Sequence, residues 1–216
     1  MPYFYYIKYN NMEIANQTIG IIGSGNIAQA FAGHVAKAGY TVTISNSRGI
    51  DSLAALVQQL GHNAKAGTIQ EAAQADLVLI AVPFDKIPEA VAALPDWNGR
   101  IVIDPSNAIV FPEFKPADLG GKTSSEIIAQ HLPGARVVKA FNTLDAAILA
   151  ADPRVAGGNR VLFLSGDDKA AKADVKQLMT SIGFTGIDLG KLVEGGRMQE
   201  FGGPLPTINL IRLPMK

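Results

Sequence analysis

The sequence predicts an α/β fold, a doubly wound and mainly parallel sheet covered by helices, and two observations carry this. Short β-rich apolar runs alternate with segments of helical period along nearly the whole chain. That is the pattern of strands buried on both faces and joined by crossover helices. The first such run, Thr18–Gly23, leads directly into Gly23-Ser24-Gly25-Asn26-Ile27-Ala28, a glycine-rich turn before a helix. This is the pyrophosphate-binding arrangement of a Rossmann βαβ unit. The expected architecture is therefore an NAD(P)-binding Rossmann fold over residues 18–190. A small C-terminal helical segment, residues 191–216, follows and contributes to an acceptor site or a dimer contact.

The elements follow in order. After strand Thr18–Gly23, Ile27, Phe31, Val35 and Ala38 mark one face of a helix that Gly39 ends. Thr41–Ser45 is the second strand, Ser52–Leu60 a helix stopped by Gly61, and Asn63–Ala66 a short strand. Thr68–Ala75 is a helix, and Asp76–Val82 an apolar strand ending at Pro83. Ile87, Val91 and Leu94 mark the next helix, and Arg100–Asp104 the fifth strand. Pro112 and Pro116 lie in an irregular connection. Thr123-x-x-Glu126 is a capping box opening a helix that reaches His131. Arg136–Ala140 is the sixth strand, followed by a short helix over Thr143–Ala150. Val161–Ser165 and Phe184–Asp188 are strands flanking a helix with Val175, Leu178, Met179 and Ile182 on one face. Beyond Leu189 the glycines and prolines predict a broken helix and a final apolar turn at Leu205–Leu213.

Composition narrows the function. The chain has 216 residues, 48% hydrophobic and 18% charged, enough to bury a full core. Lys+Arg and Asp+Glu are both 19. Such balance gives no electrostatic footprint for nucleic acid or an anionic membrane. The absence of cysteine excludes disulfides, thiolate zinc sites and cysteine nucleophiles, and fits a cytoplasmic protein. No apolar run approaches the roughly 20 residues that span a bilayer. Residues 1–17 hold four of the five tyrosines and are expected to be a flexible extension, not a signal peptide, with Met12 an alternative start.

Two stretches define the cofactor site. Gly23 permits the tight bend, Gly25 lets the backbone approach the pyrophosphate, and Ala28 allows close packing of helix on strand. Ser24, Asn26 and Ile27 complete the turn, where free helix N–H groups face the phosphates. About 20 residues on, the second strand ends in Ser45-Asn46-Ser47-Arg48. An NAD site would place an acid here to hold the ribose. The nearest acid is Asp51, three residues past Arg48. Ser47 and Arg48, with Ser24, instead offer hydroxyls and a guanidinium to a 2′-phosphate. The sequence thus points to an NADP(H)-binding oxidoreductase.

Ligands of open α/β sheets lie beyond the carboxyl ends of the strands. Ala81, Val82, Pro83 and Phe84, then Ser106 and Asn107, then Ala140, Phe141 and Asn142 occupy such ends. The apolar wall Val82–Phe84 suits the nicotinamide, and Asn107 and Asn142 can hold its carboxamide. None of the three histidines, His34, His62 and His131, sits at a strand end. Lys139 is the one charged candidate for catalysis. A strand lysine can also point away from the site. No metal site is expected.

The chain resembles the NADPH oxidoreductases that include the NADP:coenzyme F420 oxidoreductases, and the cytosolic reductase domains of STEAP metalloreductases. The stretches are I-G-I-I-G-S-G-N-I-A (Ile19–Ala28), S-N-S-R (Ser45–Arg48), V-L-I-A-V-P-F (Val78–Phe84), V-V-K-A-F-N-T (Val137–Thr143), S-G-D-D (Ser165–Asp168) and D-L-G-K-L-V-E-G-G-R (Asp188–Arg197). The N-terminal half alone also suits pyrroline-carboxylate reductases. Gly195-Gly196 departs from the pattern, where related proteins carry larger residues. The resemblance implies hydride transfer between NADPH and a flavin-like ring, coenzyme F420 or a flavin, packed near Val82–Phe84 and Ala140–Asn142. It also implies a homodimer. A non-catalytic NADP(H)-binding regulator and a pyrroline-carboxylate-type imine reductase are the alternative readings.

Overall fold

The structure is a computed structural model that describes residues 17–215. The expectation of a flexible N-terminal extension falls, save for Gln17, outside the described residues. In chain order the elements are β1 (Thr18–Ile22), α1 (Asn26–Lys37), β2 (Thr41–Ser45), α2 (Ala54–Leu60), β3 (Ala64–Ala66), α3 (Ile69–Ala72), β4 (Leu77–Ile80), α4 (Ile87–Val91) and β5 (Ile101–Asp104). Then come β6 (Ile109–Val110), β7 (Lys115–Pro116), α5 (Ser124–Gln130), β8 (Arg136–Ala140), α6 (Ala146–Ala150), β9 (Arg154–Val155), β10 (Gly158–Gly166), α7 (Lys169–Ser181), β11 (Thr185–Asp188), α8 (Arg197–Gln199) and β12 (Ile211–Arg212).

The main sheet has the order β11-β10-β8-β5-β4-β1-β2-β3. Every pair from β3 across to β8 is parallel. β10 is antiparallel to β8, and β11 parallel to β10, so the last two strands run against the rest. The chain leaves β1 toward β2 and β3, then crosses back to β4 on β1's other side. That reversal opens a crevice at the carboxyl ends of β1 and β4, the topological switch point where such sheets bind ligands.

The strands read as continuous apolar runs because both faces are covered. Ile19, Ile21, Leu77 and Leu79 pack with α1, α6 and α7 in one layer of the core. Ile22, Val78, Ile80 and Val102 pack on the other face with Ile87, Val91, Trp97 and Ile128. α1 can lie close to the sheet because its buried face carries Ala28, Ala32 and Ala36 beside Phe31 and Val35. On the opposite face a Cβ added to Gly20 would sit 1.8 Å from the Ala72 carbonyl oxygen, so α3 rests directly on β1. His34 is structural, as expected: its Nε2 donates to the Leu149 carbonyl at 2.7 Å, and its ring meets Phe184 edge-on. The Tyr40 hydroxyl joins Ser181 Oγ at 2.8 Å, and burial pushes that phenol's pKa up.

Several expectations change. The helix expected over Thr68–Ala75 is a single capped turn, Ile69–Ala72. The expected strand Val161–Ser165 is the middle of the longer β10. The proline-bearing connection folds into a small β6–β7 hairpin, paired Ile109 to Pro116 and Val110 to Lys115. The C-terminal extension is helical only through a π-turn, Leu192–Gly196, and the one turn of α8. It ends at Glu200, whose backbone is extended (φ −73°, ψ 158°), ahead of Gly202 (φ 92°) and the prolines that follow. The Leu205–Leu213 stretch, expected as an apolar turn, then runs to β12, which pairs with β10 through Asn159–Arg212 and Arg160–Ile211. Gly195 is required where it stands, since a Cβ there would lie 2.7 Å from Ser165 Cβ, while one on Gly196 would press on the Thr123 side chain at 3.2 Å. Among the described residues no helix is long and apolar enough to cross a membrane.

Candidate functional site

The crevice is built first by the turn after β1. Gly23 has φ 115°, and its N–H donates to the Ser45 carbonyl at 2.9 Å. Gly25 caps α1 with no side-chain partner, and the first turn of α1 carries no acid. The leading N–H groups of the helix are therefore free for an anion. Among the described residues, its chain neighbours apart, no atom lies within 4 Å of where a Gly25 Cβ would stand, so the space above this helix end is open.

The end of β2 completes the polar side. Asn46 Nδ2 donates to Ser24 Oγ at 3.1 Å and to Ser52 Oγ at 2.9 Å. Its Oδ1 accepts the Arg48 N–H at 2.9 Å. Arg48 Nη2 donates to Ser24 Oγ at 3.2 Å, which holds the guanidinium at the mouth of the glycine turn. Among the described residues Arg48 has no carboxylate within ion-pair distance. A cavity of about 730 Å³ is lined by Gly23, Ser24, Asn46, Ser47 and Arg48 on one side, and by Ala81–Pro83 on the other. An uncompensated guanidinium, two hydroxyls and free N–H groups form an anion site of phosphate character.

A second cavity, about 640 Å³, shares Gly25, Ala81, Val82 and Pro83 with the first, so the two form one cleft across the ends of β1 and β4. Asn26, Ile27, Phe84, Ser106, Asn107 and Asn142 line this second half. Asn107 Nδ2 donates to the Asn142 carbonyl, and Asn142 Nδ2 to Asn107 Oδ1, each at 3.0 Å. Asn142 Nδ2 also reaches the Gln199 carbonyl, and the Phe201 N–H donates to Asn107 Oδ1 at 3.1 Å. Asn107 thus fastens the C-terminal segment to the cleft, and its amide oxygen already accepts two bonds. Two buried polar atoms of the lining have no partner among the described residues, Ser106 Oγ and Asn142 Oδ1. Buried polar atoms are ordinarily satisfied. A carboxamide accepts through its carbonyl and donates through its NH₂, the complement of a hydroxyl donor and an amide-oxygen acceptor. The polar mouth fits the phosphates of an NADP(H) molecule, at the glycine turn and Arg48.

Three expected site residues lie elsewhere. Ala140 and Phe141 are fully buried, and Phe141 packs edge-on against Phe31 with ring centroids 5.0 Å apart. Both belong to the core because β8 is covered on both faces at this point. Lys139 is also fully buried. Its Nζ donates to the Ser106 carbonyl at 2.9 Å and Ser124 Oγ at 3.0 Å, and lies 3.7 Å from Asp104 Oδ2. It cannot touch a substrate; it braces the Ser106 loop from behind. Asp104 caps the turn as expected, accepting the Ser106 N–H at 2.9 Å, and also accepts from Ser125 Oγ. Sequence reasoning missed Gln199, whose Nε2 donates to the Lys139 carbonyl at 2.9 Å, and the hairpin residues Ile109, Phe111 and Phe114 of the second cavity. Gln199 left no local signal, because its partner is 60 residues away.

Fold and cleft together define a Rossmann-type α/β protein with a cleft suited to a dinucleotide. The sequence profile described as NADP oxidoreductase, coenzyme F420-dependent, matches residues 18–108 of this chain. The crystal structure of a hypothetical protein from Sinorhizobium meliloti is 49% identical, with a TM-score of 0.88 over 91% of this chain and 96% of that one. A candidate F420-dependent NADP reductase from Arthrobacter sp. FB24 is 26% identical, with a TM-score of 0.69 over 82% of this chain and 86% of that one. The metalloreductase STEAP3 of Rattus norvegicus is 31% identical over 84% of this chain. The chain spans 35% of that relative's length.

Proposed function

We propose that this protein transfers a hydride between NADP(H) and a planar, flavin-like acceptor, a deazaflavin such as coenzyme F420 or a flavin. One observation carries the reading: a single cleft is cationic and rich in donors at Ser24 and Arg48 and apolar from Val82 to the hairpin. When bound, NADPH supplies the hydride, and the acceptor takes its accompanying proton from solvent. The residues of the chain supply binding and alignment. Ser24, Arg48 and the α1 N–H groups fix the phosphates, Ser106 and Asn142 orient the carboxamide, and Val82–Phe84 exclude water from one side. Transfer between two stacked rings needs near-attack placement more than an acid or base. The cleft agrees, since Lys139 is sealed behind it.

The test is NADPH oxidation at fixed enzyme concentration with deazaflavin, FMN, FAD and quinone acceptors. Turnover with a flavin-like acceptor is expected. Silence with all of them, beside measurable NADPH affinity, would replace this reading with a non-catalytic NADP(H)-binding protein.

A further inference from the structure

We propose that Phe111 and Phe114, at the turn of the β6–β7 hairpin, form a stacking platform that selects the acceptor by its flat ring face. The hydride-transfer reading gives the platform its purpose, but the geometry stands on separate observations. Both side chains are unusually open for phenylalanine, with 71% and 59% of their surface exposed. Single exposed apolar residues are ordinary, but these two are held together. Their rings meet edge-on with centroids 5.7 Å apart, and Phe114 meets Phe201 at 5.1 Å. Phe201 is in turn fixed by its N–H bond to Asn107, inside the cleft.

The backbone reinforces the display. Phe114 has φ 50°, a left-handed conformation that a bulky residue rarely adopts. Such conformations persist where the surroundings hold them and cluster at ligand sites. Phe111 and Phe114 line the same 640 Å³ cavity as Val82, Pro83 and Asn142. The occupant must therefore share space with the nicotinamide end of the cleft.

The charge of the lining says what kind of group belongs there. Among the described residues its one ionisable side chain is Asp145, which already accepts the Ala147 N–H as the cap of α6. No cation among the described residues lines the cavity to hold a phosphate or carboxylate. Recognition must come from ring faces, where aromatic pairs gain from offset or edge contact. The ligand class is thus a fused planar ring, neutral where it meets the hairpin, with any anionic tail directed outside this cavity.

The test uses the full chain, saturated with NADP⁺, and riboflavin as the probe, followed by quenching of flavin fluorescence. Wild-type protein is expected to quench. Phe111→Ala/Phe114→Ala is expected to bind riboflavin about tenfold more weakly or worse, the scale for losing two aromatic contacts. Its NADPH affinity should be unchanged, which also shows that the variant folds. Phe111→Tyr/Phe114→Tyr, which keeps the rings, should retain riboflavin binding. The proposal is overturned if wild-type protein does not quench, if the alanine variant binds riboflavin as well as wild type, or if NADPH affinity falls in parallel. A changed sedimentation mass with unchanged quenching would also overturn it, by assigning the patch to contact between copies. Riboflavin binding that depends on the two rings, without NADPH oxidation by any acceptor, would retire the hydride-transfer reading and leave the platform standing.

Discussion

Gly23→Ala is expected to abolish measurable NADPH binding and to lower stability by about 2–6 kcal/mol, summing backbone strain and overpacking. At φ 115° an added Cβ would lie 2.2 Å from the Ala81 carbonyl oxygen and 2.7 Å from its carbon. Both are backbone atoms, so no side chain can rotate aside. Relief requires the turn after β1 to move away from the end of β4, and those two ends are the floor of the cleft. Gly25→Ala is the informative contrast. Its φ of −73° suits alanine, and an added Cβ meets nothing within 4 Å. Its melting temperature should match wild type while NADPH affinity falls, because the methyl enters space that only a ligand would use. Thermal unfolding and NADPH fluorescence titration of both variants check this pair. A Gly25→Ala protein that binds NADPH like wild type would show that no ligand approaches the backbone there.

Lys139→Met is expected to destabilise the protein by about 3–5 kcal/mol, the range for breaking a buried ion pair from one side. Lys139 and Asp104 are both fully buried. Removing the ammonium leaves the carboxylate with only the Ser125 hydroxyl and the Ser106 N–H. It also strips the Ser106 carbonyl and Ser124 Oγ of their donor. Adding Asp104→Asn should recover much of the loss, since no uncompensated charge then remains. A double-mutant cycle in urea measures the coupling. A catalytic lysine would behave differently, losing turnover while the urea midpoint held. Unchanged stability in Lys139→Met would contradict the bracing role.

These two residues also show what was legible in the chain. The glycine turn, the missing acid and Arg48 could be read directly, because each is written in a few consecutive residues whose spacing has one physical purpose. The mainly parallel character of the sheet followed from the apolar runs, but not its strand order. Lys139 could not be placed, since alternation along Val137–Ala140 gives two faces and both are covered here. Ala140 and Phe141 looked like site residues because they end a strand, yet core packing against Phe31 claims the ring. The bonds joining Asn107, Asn142, Gln199 and Phe201 span 35 to 94 residues, and no local pattern encodes them. The glycines and prolines of the tail predict a broken helix and a final apolar turn, while capture of Ile211 and Arg212 by β10 is a tertiary event. The hairpin phenylalanines sat in a proline-bearing connection with no periodicity to mark them.

The most direct measurement is a calorimetric titration of wild-type protein with NADPH and with NADH, repeated on Arg48→Ala. One free guanidinium and the Ser24 hydroxyl facing the 2′-phosphate should make NADPH bind about 10- to 100-fold more tightly, the worth of charge-assisted hydrogen bonds. Arg48→Ala should erase most of that margin and leave NADH almost unchanged. Equal affinities in the wild-type protein, or equal losses for both nucleotides in the variant, would show that no phosphate rests against Arg48.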